Sequence, residues 1–201
     1  MAGPQTEAIV RLAKAGRTEG FQAILASYGP RLYGYFFRAL GDRHEAEDLL
    51  GEVMLRLVRT IGRYDERGRF ESWLFRIAAN LVRDRFRRRR VAPPVLSPAG
   101  PDDDNPVDAL PGREADPGAG AVAAEQRDRL MQALAELDEA TRQTIVLRHF
   151  SGMSFAQIAA VMHCPLGTAL ARVHRGLRAL RARLDEDADD CDRTDRHERT
   201  T

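Results

Sequence analysis

The sequence predicts an all-α protein: two small helical domains joined by a flexible acidic linker, the second a helix-turn-helix domain. Three observations predict it. Apolar residues recur at three- and four-residue steps through both halves of the chain, and nothing alternates for long at the strand period. Residues 91–121, VAPPVLSPAGPDDDNPVDALPGREADPGAGA, are rich in Pro, Gly and Asp and hold no lasting periodicity, so they cannot bury a core. Charge divides at the same places. Residues 1–90 carry 18 Lys/Arg against 11 Asp/Glu, residues 91–124 one against six, residues 125–184 nine against five, and residues 185–201 three against eight. Two basic modules, at 1–90 and 125–184, are therefore separated by an acidic linker at 91–124 and followed by an acidic tail expected to be disordered.

The elements follow in order. Phe21, Ile24, Leu25, Tyr28, Leu32, Tyr35 and Phe36 fall on one face of a helix. Gly41 and Asp42 punctuate. Ala46, Leu49, Leu50, Val53, Leu57 and Ile61 then mark the apolar side of a second helix. GRYDERGR (62–69) reads as a loop, and a third helix starts near Phe70 and runs into the Arg cluster. The second domain gives helices near 125–137, 141–150, 154–162 and 166–184. Ser154 and Gln157 match a capping box that opens the third of these, and Pro165 suits the start of the fourth. In that last helix Leu170, Val173, Leu177, Leu180 and Leu184 predict a single apolar stripe, with Thr168, Ala171, Arg172 and Arg175 pointing away from it. A short helix, a tight turn and a longer basic helix make the layout of a helix-turn-helix, whose second helix can enter a major groove.

Composition narrows the function classes. The longest apolar runs are only a few residues, so no membrane-spanning helix is expected. The start, MAGPQTEAIVRLAKAG, lacks a basic segment followed by a long apolar core, so a cytoplasmic protein is expected. Cys164 and Cys191 are too few and too far apart for a disulfide framework or a zinc cluster. No Gly-rich phosphate loop, metal-spaced His/Asp cluster or Ser-His-Asp signature is present, so the chain reads as no enzyme, with no cofactor and no metal. His149, His163 and His174 read as surface or packing residues of the helix-turn-helix.

The helix over 71–90 carries the most informative chemistry. Leu74, Ile77, Ala78 and Leu81 form its core side. Arg76, Asn80, Arg83 and Arg87 recur at steps of four, three and four as a second stripe, with Ser72 and Trp73 at its start. Such a face offers guanidiniums for phosphates, an amide for a base edge and an indole on which a base can stack, which suits single-stranded nucleic acid. Arg87 to Arg90 extend it as an electrostatic clamp.

EAEDLLGEVMLRL (45–57) and FESWLFRIAANLVRDRFRRRR (70–90) resemble the second conserved region of the extracytoplasmic-function sigma factors of bacterial RNA polymerase. LRHFSGMSFAQIAAVMHCPLGTALARVHRGLRALR (147–181) resembles their fourth region. The resemblance covers about two-thirds of the chain in the family's order. It implies that Asp48, Leu49, Glu52 and Val53 dock on the clamp helices of the largest polymerase subunit. It implies that Ser72, Trp73, Arg76, Asn80, Arg83 and Arg87 engage the minus-ten promoter element as melted strand. It implies that Thr168, Ala171, Arg172 and Arg175 face the minus-thirty-five element as duplex. The linker is expected to thread polymerase channels. Core polymerase, promoter DNA and an anti-sigma factor are the partners implied. Three positions depart from the family's pattern: Gly51 where Gln is frequent, His163 where the turn usually has Gly, and Leu170–Ala171 where Lys-Ser is common. The competing reading is an autonomous helix-turn-helix repressor or activator, which accounts for 125–184 but leaves the Ser72–Arg87 stripe unexplained.

Overall fold

The computed structural model describes the backbone of residues 4–65, 69–91 and 117–198, and the side chains of 5–65, 69–91 and 124–185. Among them every regular element is helical: α1 (Pro4–Lys14), α2 (Thr18–Leu40), α3 (Arg43–Thr60), a 3₁₀ turn (Ile61–Arg63), α4 (Phe70–Val91), α5 (Pro117–Glu136), α6 (Glu139–His149), α7 (Phe155–Met162) and α8 (Leu166–Glu198).

The α2–α3 corner shows how local sequence sets these boundaries. Gly41 takes the left-handed conformation at φ 74° and its N–H returns to the Phe37 carbonyl, so α2 stops there. Asp42 then accepts the Glu45 N–H at 2.8 Å and starts α3. A helix at the very start of the chain, α1, was not expected. Only Val10 and Ala13 bury from it, too few to register as a stripe. It is held by close approach instead: a Cβ on Gly20 would lie 2.3 Å from the Ala13 backbone nitrogen, so only glycine lets α2 pass that near. Lys14 ties its end to the Tyr64 carbonyl at 2.8 Å.

Both long boundaries differ from the sequence expectation. The backbone of α5 starts at Pro117, inside the stretch assigned to the linker, because AGAVAA carries alanine, the strongest helix former, beside the glycines. The backbone of α8 runs on to Glu198, where the sequence reading puts a disordered tail. Residues 185–198 contain no Gly or Pro to end a helix. The rest of the linker, 92–116, lies outside the described residues.

The core does not divide where the linker does. Tyr35, Phe36, Leu49, Leu57, Phe70, Phe75 and Leu81 of the first half share one buried apolar cluster with Val146, Leu147, Met153, Ile158, Val161 and Ala169 of the second. A smaller cluster of Ala133, Leu134, Ile145 and Leu180 joins α5, α6 and α8. Helix α6 packs on both α2 and α8, and α7 lies along α4.

Candidate nucleic-acid interface

Helix α4 is positioned by its buried side. Phe70, Leu74, Ala78 and Leu81 are buried, which turns Arg76, Asn80 and Arg87 outward to solvent. Arg83 is half-buried. Its Nη2 donates to Asn80 Oδ1 at 2.6 Å and its Nε to the Ala79 carbonyl at 3.3 Å. The Asn80 carbonyl oxygen is thus engaged, which leaves the amide N–H groups to meet a base acceptor. Arg87 pairs with Asp84 at 3.1 Å, an exposed contact that a phosphate can replace. Trp73 is half-buried. Its ring lies 4.7 Å from that of Tyr64 and 5.7 Å from that of Phe70, so the indole is braced by aromatics. Beside it opens a cleft of about 420 Å³ lined by Arg63, Tyr64, Asp65, Arg69, Ser72, Trp73 and Arg76, with Ala160 of α7. An aromatic floor with guanidiniums at the rim can stack a base and hold its phosphate. The six α4 residues anticipated from sequence therefore share one face. Arg63, Tyr64 and Arg69, which sequence reasoning left in an unassigned loop, complete the cleft.

In the helix-turn-helix, the Ser154 side chain takes the Gln157 N–H at 3.3 Å and the Gln157 side chain takes the Ser154 N–H at 2.8 Å, the reciprocal capping box expected. His163 ends α7 at φ 52° and ψ 48°. Among the described residues it is the one non-glycine with positive φ, the left-handed turn its position implied. The facing of α8 differs from expectation. Ala169, Val173, Gly176 and Leu180 are buried, whereas Leu170 and Leu177 remain 44% and 40% exposed. The cause is Gly176: a Cβ there would sit 2.4 Å from Ile145 Cδ1 and 2.5 Å from Thr141 Cγ2. Helix α6 comes close where α8 has no side chain, and Leu170 and Leu177 lie to the flank while Val173 and Leu180 stay buried. Ala171 and Arg175 are fully outward, while Thr168 and Arg172 are half-buried. Arg172 lies near enough to Asp138, at the start of α6, to help stabilise its carboxylate.

Helix α3 corrects two residues. Leu49 and Val53 are 1% and 0% exposed, so they belong to the core and cannot present side chains to a docking partner. They lie on the apolar side of the helix that the sequence marks, which is the packing face. Asp48 is exposed, and Glu52 is half-buried and holds Arg56 at 2.8 Å. The outward ridge is Asp48, Gly51, Leu55 and Val58, at steps of three, four and three, with Leu55 and Val58 58% and 55% exposed. Two apolar side chains on an outward helical stripe were the signal available in the sequence.

Two basic helical modules, one presenting an arginine, amide and indole stripe and the other a helix-turn-helix, are the build of a DNA-binding transcription protein. Comparison with known proteins narrows the class. Residues 24–91 match the sigma-70 region 2 family model and residues 127–180 match sigma-70 region 4. The chain is 30% identical to the ECF RNA polymerase sigma factor SigW of Bacillus subtilis, over 87% of this chain and 94% of that one. It is 34% identical to the RNA polymerase sigma factor CarQ of Myxococcus xanthus, over 85% and 92%. Its fold is similar to that of CnrH solved in complex with the cytosolic domain of CnrY, with a TM-score of 0.67 at 24% identity, covering 90% of this chain and 97% of that one. The chain belongs to the extracytoplasmic-function sigma factors of the sigma-70 family. That family separates it from autonomous helix-turn-helix repressors. No helix among the described residues is long and apolar enough to cross a membrane.

Proposed function

We propose that this sigma factor docks on core RNA polymerase through the outward ridge of α3 and opens promoters with α4. In this reading α8 holds the upstream promoter element as duplex. The protein acts by binding, with no bond-making chemistry of its own, and works in the cytoplasm. The observation that carries the reading is the α4 face, where Trp73 floors a cleft beside Arg76 and Asn80, with Arg83 orienting the amide. Asp48 and Glu52 supply the polar edge of the docking ridge, and Leu55 and Val58 its apolar centre. Arg175 and Ala171 are the outermost reading positions of α8, and Thr168 and Arg172 flank them. An anti-sigma factor that covers α3 or α4 would silence the protein by occupying the same surfaces. The linker's passage through polymerase channels belongs to the same reading, although residues 92–116 lie outside the described structure.

The test is open-complex formation by the holoenzyme on duplex promoters and on templates with a pre-melted bubble. If Asn80 reads a base, Asn80→Ala loses about 1–3 kcal/mol of binding on both templates, in a sequence-dependent way. If it assists melting alone, the loss is confined to the duplex. An unchanged response on both would remove Asn80 from the site.

A further inference from the structure

The exposed positions in the first two turns of α8 carry no hydrogen-bonding side chain. Leu166, Gly167, Leu170 and Ala171 all face solvent, and His174, the first polar side chain of this helix that is fully exposed, comes a turn later. Leu166 and Leu170 are 50% and 44% exposed. The fold leaves them uncovered because Ala169, Val173, Gly176 and Leu180 already fill the buried side. Gly167 faces open space, since a Cβ built there meets nothing within 4 Å.

In a helix-turn-helix the N-terminal residues of the second helix are the ones that meet base edges. Polar reading of a base takes an arginine, amide, carboxylate or hydroxyl at such a position. Thr168 is half-buried, on the flank it shares with half-buried Arg172. What the opening turns present instead is apolar surface: an isobutyl group at Leu170 and a methyl group at Ala171, the outermost position. The apolar group that a base pair shows in the major groove is the C5-methyl of thymine. Charge commits this face to DNA. Arg172, Arg175 and Arg178 follow on the same helix, and no acid lies between Leu166 and Leu184. A duplex pairs those guanidiniums with phosphates, whereas an apolar protein partner seated on Leu170 would strip water from them without return.

Resting on the sigma-factor reading above, we propose that Leu170 and Ala171 read the upstream element through thymine methyl groups in the major groove. The helix selects T·A pairs there by apolar contact, where an arginine would select guanine. Gly167, with no side chain in the way, lets the first turn come close to the bases. Arg172 and Arg178 hold the backbone beside it.

The test uses holoenzyme formed with the full chain. A duplex library randomised over the upstream and downstream elements is selected by binding, and the recovered promoter is the probe. Each upstream thymine, on either strand, is then replaced by uracil, which pairs identically and lacks only the methyl group. Taking one methyl-sized group out of water is worth about fourfold in affinity, so uracil is expected to weaken binding by about that factor at one or two positions. Uracil at the other thymines is expected to leave affinity unchanged. Leu170→Ala is expected to erase the penalty at one of the sensitive positions. Arg175→Ala is expected to keep the penalty while binding more weakly. Leu170→Lys is expected to erase it as well and to raise the salt slope by about one, a phosphate contact taking the place of a base contact. The uracil scan of the wild-type chain stands even where a variant fails to fold. Equal binding of every uracil duplex by the wild-type holoenzyme overturns the proposal, as does a set of penalties left intact by both Leu170 variants. Enrichment of promoters without a uracil effect overturns methyl reading alone. Holoenzyme that enriches no sequence beyond core polymerase overturns the sigma-factor reading with it.

Discussion

Truncating the outward ridge of α3 separates docking from packing. Leu55→Ala with Val58→Ala removes two side chains that are 58% and 55% exposed and that the fold leaves uncovered. Fully burying an exposed Leu or Val is worth about 1.5–3 kcal/mol. Just over half of each side chain is still open to a partner, and alanine retains the Cβ. The expected loss is therefore about 1 kcal/mol per residue, and about 2 kcal/mol together, or roughly 30-fold in Kd. The thermal midpoint should barely move, since surface substitutions usually stay within about 0.5 kcal/mol. Leu49→Ala is the contrast: at 1% exposure it costs about 2–5 kcal/mol of folding free energy. The assay is competition with labelled wild-type protein for core polymerase, with a thermal melt of each variant. Competition by the double variant within threefold of wild type would refute the apolar ridge as the docking surface. An equal fall in the melt would show that the ridge is packing after all.

Four further outcomes are expected. Arg175→Ala should relax preference at one upstream base position by about 1–3 kcal/mol. Arg172→Ala should weaken binding across sequences and lower the salt slope by about one. Holoenzyme affinity over promoter variants and a salt series checks both, and unchanged values in both variants would move the upstream contact off α8. His163→Gly removes a left-handed side chain that costs about 1–2 kcal/mol and should raise the melting midpoint by a few degrees. A lower midpoint would mean the imidazole makes a contact worth more than its strain. For Asp138, burial pushes the carboxyl upward, but hydrogen bonds from Thr141 and the Ala140 N–H, with Arg172 nearby, outweigh it and hold the pKa below its ordinary value. A lowered folded pKa stabilises above the unfolded value and is lost as pH falls through the folded one. Asp138→Ala should thus cost about 1 kcal/mol at neutral pH. Its deficit should shrink on acidification, as denaturant titrations at several pH values would show. A deficit that grows on acidification would contradict the sign.

Much of this was legible because it is written in local chemistry. The Ser154–Gln157 box, the Gly41–Asp42 corner and the arginine–amide stripe of α4 each follow from residues within a few positions of one another. What was not legible depends on distant partners. The facing of α8 turns on Gly176 meeting Thr141 and Ile145 of α6, so of the predicted stripe Val173 and Leu180 are buried while Leu170 and Leu177 stay exposed. Leu49 and Val53 were assigned to docking by the family resemblance, which points to the helix as a whole and not to one of its sides. A helix has two sides, and the apolar, regularly spaced one goes to the core. The stripe Phe75–Ala79–Val82–Phe86 was readable as sequence. Nothing local says whether such a stripe meets its own domain or the next, and the linker's composition pointed to two independent cores.

The most direct test of the central claim is run-off transcription by core RNA polymerase on a promoter library, with and without this protein. The account predicts transcripts that start at defined positions only when the protein is present. Those templates should share one upstream and one downstream element, and they should fall silent with Asn80→Ala or Arg175→Ala. Transcripts unchanged by addition of the protein, or tight duplex binding by the protein alone that represses transcription, would contradict it.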